Sequence, residues 1–168
     1  MKKFIFFLVL IQNLLISSAQ SYSSNPKDFV FELVNDAISK LSDKNLTDEE
    51  KAKYIEKVAI DNVDIKALGL YTLGELRKSS EETIIKKYQL AFEKYFLKSL
   101  TSRLTDYSSS KFEIEGEDKK SSNYTIISSK VVPEDGKPEI KIDWRIYTKN
   151  PEKPLIRDLI IEGLSLAR

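Results

Sequence analysis

The 168-residue chain is 41% apolar and 32% charged, and it holds neither cysteine nor histidine. Cysteine nucleophiles, imidazole bases, thiolate metal sites, His-ligated zinc and disulfides are thereby excluded. Its 27 basic and 26 acidic side chains nearly cancel, leaving no global field to capture nucleic acid, and its length predicts one domain with a single core.

Residues 1–19 read as a removable leader. Lys2 and Lys3 form a basic start, an apolar run extends from Phe4 to Ile16, and Ser17 and Ala19 suit cleavage before Gln20. The run holds Gln12 and Asn13 and falls short of the about 20 apolar residues a spanning helix needs. The expected product, residues 20–168, is a single domain with 25 basic and 26 acidic side chains. No cysteine follows the leader, so a lipid-anchored lipoprotein is excluded. A cysteine-free exported domain fits a bacterial periplasm better than a eukaryotic secretory route.

Asn25 before Pro26 is a helix start, and Phe29, Val30, Leu33, Val34, Ala37, Ile38 and Leu41 follow at helical spacing to about Ser42. Thr47 and Glu50 form a capping box that opens a second helix over Asp48 to about Asn62. Asp64 is predicted to cap a short helix over Ile65 to Leu70, and Thr72 to start another over Leu73 to Lys78. Ser79 and Glu82 repeat the capping-box pattern before the longest periodic segment, residues 81–107, whose stripe is Tyr88, Phe92, Phe96, Leu100 and Leu104.

After Ser108 to Ser110 the period changes to two. Strands are predicted over Lys111 to Gly116, Asn123 to Val132, Glu139 to Tyr147 and Leu155 to Glu162, with turns at Glu134 to Pro138 and Asn150 to Pro154. The predicted fold is α+β: N-terminal helices packed on one face of a four-stranded antiparallel meander.

The dense acidic spots have plain explanations. Glu49-Glu50 and Glu81-Glu82 lie in first helical turns, where negative charge complements the helix dipole, and Glu113, Glu115 and Glu117 alternate on one strand face. Asp158 and Glu162, on an apolar strand, are the candidate buried carboxylates, with no partner visible in the sequence. No catalytic residue, metal ligand or cofactor is assigned. The informative feature is apolar: Ile140, Ile142, Trp144 and Ile146 on the sheet and Tyr88, Phe92, Tyr95, Phe96 and Leu100 on the long helix. If these surfaces face each other, they either fill a core or line a cavity.

From about Asn25 to Arg168 the chain resembles the MlaC (Ttg2D, toluene-tolerance) family of periplasmic phospholipid carriers of the Mla ABC transport system. The resemblance is carried by Phe29, Leu33 and Ala37, by Ala67 to Tyr71, and by Phe92, Tyr95, Phe96 and Leu100. Ile140 to Trp144 and the ending Leu155 to Leu166, with its Glu162-Gly163-Leu164-Ser165, complete it. It implies an apolar pocket enclosed by helices and sheet that takes phospholipid as cargo, with the head group near the mouth. It also implies a non-enzymatic monomer that docks to an outer-membrane lipoprotein complex and to the inner-membrane lipid-binding ring of the transporter, maintaining outer-membrane lipid asymmetry. The pocket-lining candidates are Leu68, Leu70 and Leu73; Tyr88, Phe92, Tyr95, Phe96 and Leu100 on the long helix; and Ile126, Ile142, Trp144, Ile146, Leu159 and Ile161 on the strands. Members of that family continue into C-terminal helices, so Leu164 to Arg168 is expected to be only the first turn of one, and the sequence either a fragment, the favoured expectation, or a shortened member with a more open pocket. The competing expectations are an enzyme on a similar cone-shaped scaffold, using Asp158, Glu162 or Tyr95, and an interaction module with a filled core.

Overall fold

The computed structural model describes residues 21–104, 110–134 and 136–166, so the predicted leader lies outside the described residues. Helix α1 (Pro26–Ser42) starts where Asn25 Oδ1 accepts from the backbone N–H groups of Lys27 and Asp28, with Pro26 at its first position. Helix α2 (Asp48–Asn62) opens on the expected capping box: Thr47 Oγ1 accepts from Glu50 N, and Glu50 Oε2 accepts from Thr47 N at 2.8 Å. That backbone bond holds the Glu50 carboxyl below its usual range.

Helix α3 (Ile65–Thr72) is capped by Asp64 as predicted, with Ala67 N donating to Asp64 Oδ1. The helix expected from Leu73 is instead a single turn, α4 (Leu76–Ser79), because Gly74 takes φ +54° and breaks the path. The long helix α5 (Glu82–Leu104) begins at Glu82, so this residue stands in the first turn and the expected Ser79–Glu82 box does not form.

Five strands form one antiparallel sheet in chain order: β1 (Ser110–Ser121), β2 (Tyr124–Pro133), β3 (Ile140–Tyr147), β4 (Leu155–Ile161) and β5 (Leu164–Ser165). The four-strand expectation is corrected by the two-residue β5, which occupies the place read as a helical turn. Glu162 (φ +50°) and Gly163 (φ +81°) form the two-residue loop that turns β4 back on itself, so Ile161 pairs with Leu164 and Ile160 with Ser165.

The register places Ile127 beside Trp144, and Trp144 beside Leu159. These residues share the inner face of the sheet with Phe112, Val131, Ile146 and Ile156. Helix α1 covers that face with Phe29, Val30, Leu33 and Val34, and the joint cluster is the core. Phe29, Val30, Ile127 and Ile146 are at most 1% exposed. A polar chain lies inside it: Trp144 Nε1 donates to Ser129 Oγ at 2.8 Å, and Ser129 Oγ donates to the Ile142 carbonyl at 3.0 Å. Tyr22 pins the segment before α1, stacking edge-on against Phe29 and donating to Asp36, which also accepts from Tyr54. Burial pushes the Tyr22 hydroxyl up to about 12.

Candidate functional site

The sequence-derived lining residues fall into two separate groups. On the inner face, Trp144 and Ile146 are buried, and Ile142, Leu159 and Ile161 are half-buried beside them. Ile126 alternates to the outer face and is half-buried. In the helical layer, Leu68 is buried and Leu70 and Leu73 are half-buried. Tyr88, Phe92, Phe96 and Leu100 are half-buried on α5, and Tyr95 is 72% exposed.

The two groups do not face each other in the way the apolar patterns allowed. Helix α1 occupies the space opposite Trp144, while α5 packs against α2 and α3. The reason is positional. The α1 stripe covers the inner face, and α5 approaches α3 closely because Gly69 has no side chain: a Cβ there would sit 3.0 Å from Phe92 Cδ1. Tyr88, Phe92 and Phe96 form a stacked column with ring centres 6.1 and 6.0 Å apart, anchored where Thr72 Oγ1 and the Tyr88 hydroxyl lie 2.7 Å apart. No described residue of α5 is fully buried, and Ile84, Leu90 and Tyr95 remain more than half exposed.

The outer face carries polar features at the end of the sheet where Tyr124, Tyr147 and Leu155 lie side by side. A bulge in β4 sets Arg157 and Asp158 opposite Arg145. Asp158, 3% exposed, pairs with Arg145 Nη1 at 3.2 Å and accepts from Ser165 Oγ at 2.6 Å. The carboxylate that had no visible partner in the sequence is therefore paired with a cation on β3 and hydrogen-bonded from β5. Glu162, the other candidate, is exposed on its turn and accepts from Lys141 N.

Arg157 Nε donates to Asp64 Oδ2 at 3.0 Å, and its guanidinium lies 3.5 Å from the centre of the Tyr147 ring. Asp64 thus caps α3 with one oxygen and fixes Arg157 with the other. A cleft of about 390 Å³ opens here, lined by Asp64, Tyr147, Lys149, Asn150, Lys153, Leu155 and Arg157. A second, of about 80 Å³, lies between Tyr71, Tyr124, Arg145 and Arg157. Burial raises the Tyr124 hydroxyl above its ordinary value, against the opposing pull of Arg145. Besides their apolar edges, these clefts present cations and phenols, together with Asp64 and Asn150 in the larger one.

The model of the MlaC family, described as MlaC protein, matches residues 32–168. The chain belongs to the MlaC family. A solved structure of a phospholipid-binding protein from Ralstonia solanacearum, in complex with a phospholipid, aligns with this MlaC family member at a TM-score of 0.67 and 16% identity. The alignment covers 82% of this chain and 78% of that one. At that identity the likeness establishes a shared fold. No curated protein matches the sequence.

Sequence reasoning missed the outer-face residues Arg145, Arg157 and Tyr124 in this MlaC chain. The alternation of β3 put Arg145 on the polar face but said nothing of Asp158. The Arg157-Asp158 pair within an apolar strand was the one available signal that a bulge turns two successive polar side chains to the same side.

Proposed function

We propose that this chain is a phospholipid carrier of the bacterial periplasm, exported by its leader and moving lipid between an outer-membrane lipoprotein complex and the inner-membrane ring of an ABC transporter, in support of outer-membrane lipid asymmetry. Family membership over residues 32–168 is the observation that carries this reading. The fold shared with a phospholipid-binding protein and the leader pattern at Lys2 to Ala19 support it.

The helical layer suits acyl chains better than the inner sheet face does. Sheltering a hydrocarbon tail is favourable by about 0.8 kcal/mol per CH₂, which requires apolar surface still open to it. Trp144 and Ile146 are already covered by α1, whereas Phe92, Phe96, Leu70 and Leu73 are only half covered. In this reading the tails lie along α3 and α5 and no covalent step is involved, which makes the protein a binding protein rather than an enzyme.

Native mass spectrometry of the purified mature protein is expected to show co-purifying phospholipid. A clean apo mass, together with no uptake of added lipid, overturns the reading.

A further inference from the structure

The outer-face clefts contain two guanidinium groups, each held in place by a carboxylate. Arg157 spends its Nε on Asp64 and its flat face on Tyr147, and its Nη groups make no hydrogen bond among the described residues. Arg145 spends Nη1 on Asp158, and its Nε is buried with no hydrogen-bond partner. Lys149 and Lys153 stand at the rim of the larger cleft, which shares Arg157 with the smaller one. Four cationic groups therefore surround the joined clefts against two carboxylates, Asp64 and Asp158, whose ion pairs hold the guanidinium groups in place.

A tetrahedral oxyanion fits this set of donors. Planar guanidinium forks bind phosphate oxygens in fixed geometry, and forks immobilised in advance lose little freedom on binding. We propose that Arg157 and Arg145, with Lys149 and Lys153 at the rim, bind a phosphate group at this end of the sheet. Because the cargo is read as a phospholipid, the phosphate is that of the lipid head group, held at the outer-face cleft while the tails follow the helices.

The full-length mature protein is offered dioleoyl phosphatidylglycerol or dioleoylglycerol, which share tails and differ in the phosphate, from mixed micelles, and occupancy is read by native mass spectrometry. The wild type is expected to favour the phospholipid by roughly ten- to hundredfold, as befits charge-assisted hydrogen bonds. Arg157→Gln is expected to remove most of that preference while retaining tail binding. Lys149→Gln/Lys153→Gln, on exposed positions, is expected to reduce it severalfold and carries the test if Arg157→Gln does not fold. Equal occupancy by both lipids, or a preference that neither variant alters, overturns the phosphate site and leaves the carrier reading standing. Occupancy by neither lipid overturns the carrier reading. If inorganic phosphate then still shifts the Arg157 side-chain NMR signal, the site serves a free anion and the head-group assignment is overturned with it.

Discussion

The two apolar halves of the molecule are built from similar residues and packed to different degrees. Where α1 lies on the sheet, Phe29, Val30, Ile127 and Ile146 are at most 1% exposed and the ring of Phe112 meets Trp144 edge-on at 6.2 Å. Where α5 lies on α2 and α3, the aromatic column Tyr88, Phe92 and Phe96 is only half covered, and Leu90 is 71% exposed. The first region is an interior. The second is an apolar surface held in shape by a close helix contact at Gly69, with attachment capacity left over. An aromatic stripe in a sequence therefore says that something apolar will cover it and leaves open whether that is protein or cargo.

The contrast can be broken at several points. The largest effect is expected for Phe29→Ala, which should lose about 3–5 kcal/mol in denaturant unfolding, the range for emptying a buried aromatic site. A loss under 1 kcal/mol would mean that the α1 side is not a filled interior. Gly69→Val comes next, because its branched side chain meets the Phe92 ring. It should cost about 1–3 kcal/mol by overpacking and should also loosen the helical layer, seen as faster amide exchange in α5. Unchanged exchange would remove Gly69 as the determinant of that contact.

Tyr22→Phe removes one hydroxyl from Asp36 and should cost about 1 kcal/mol near neutral pH. The raised Tyr22 pKa gives a pH signature. Its stabilising contribution is complete below the ordinary value of 10 and is lost as pH rises through about 12, so the variant should lose less stability than the wild type over that interval. Identical alkaline profiles would count against this role. The smallest effect is expected for Tyr95→Ala, within about 0.5 kcal/mol on stability, as for an exposed side chain. A cost above 1 kcal/mol would show that the outer side of α5 is covered in solution.

Much of the local structure was readable from the residues. Asn25 with Pro26, Thr47 with Glu50, and Asp64 each place a helix start where the cap hydrogen bond is found, because a cap is a contact between near neighbours. The alternation of Ile142, Trp144 and Ile146 likewise fixed the buried face of β3. What stayed hidden depends on distant partners or on unusual backbone. Glu162 at φ +50° is a conformation that no propensity assigns to glutamate, so the residues alone read it as the end of the strand and Leu164 to Arg168 as the first turn of a helix. The adjacent charges Arg157-Asp158 hint at a bulge, and its register is set only by pairing with β3. That α1, and not α5, faces Trp144 is a competition between two apolar stripes, and periodicity alone does not rank them. The sequence resemblance placed the chain in its family correctly, and among the described residues the apolar surfaces it pointed to form a filled sheet face and a half-covered helical layer.

The first strand has one further consequence. β1 borders the sheet on one side only, and along its 12 residues Lys111, Glu113, Glu115, Glu117, Asp118, Lys119 and Lys120 are all exposed. A strand from another molecule adding there in the antiparallel sense would bring charged side chains against charged side chains, and the register shifts beyond Ile114 and Lys119 distort the backbone it would have to copy. On the opposite side the two-residue β5 covers Ile160 and Ile161, and farther along β4 the segment before α3 occupies the edge, Val63 bridging Ile156 and Asp64 N donating to the Ile156 carbonyl. A protein that keeps greasy surface open on its helices thus closes the other route to aggregation, edge-to-edge growth of its sheet.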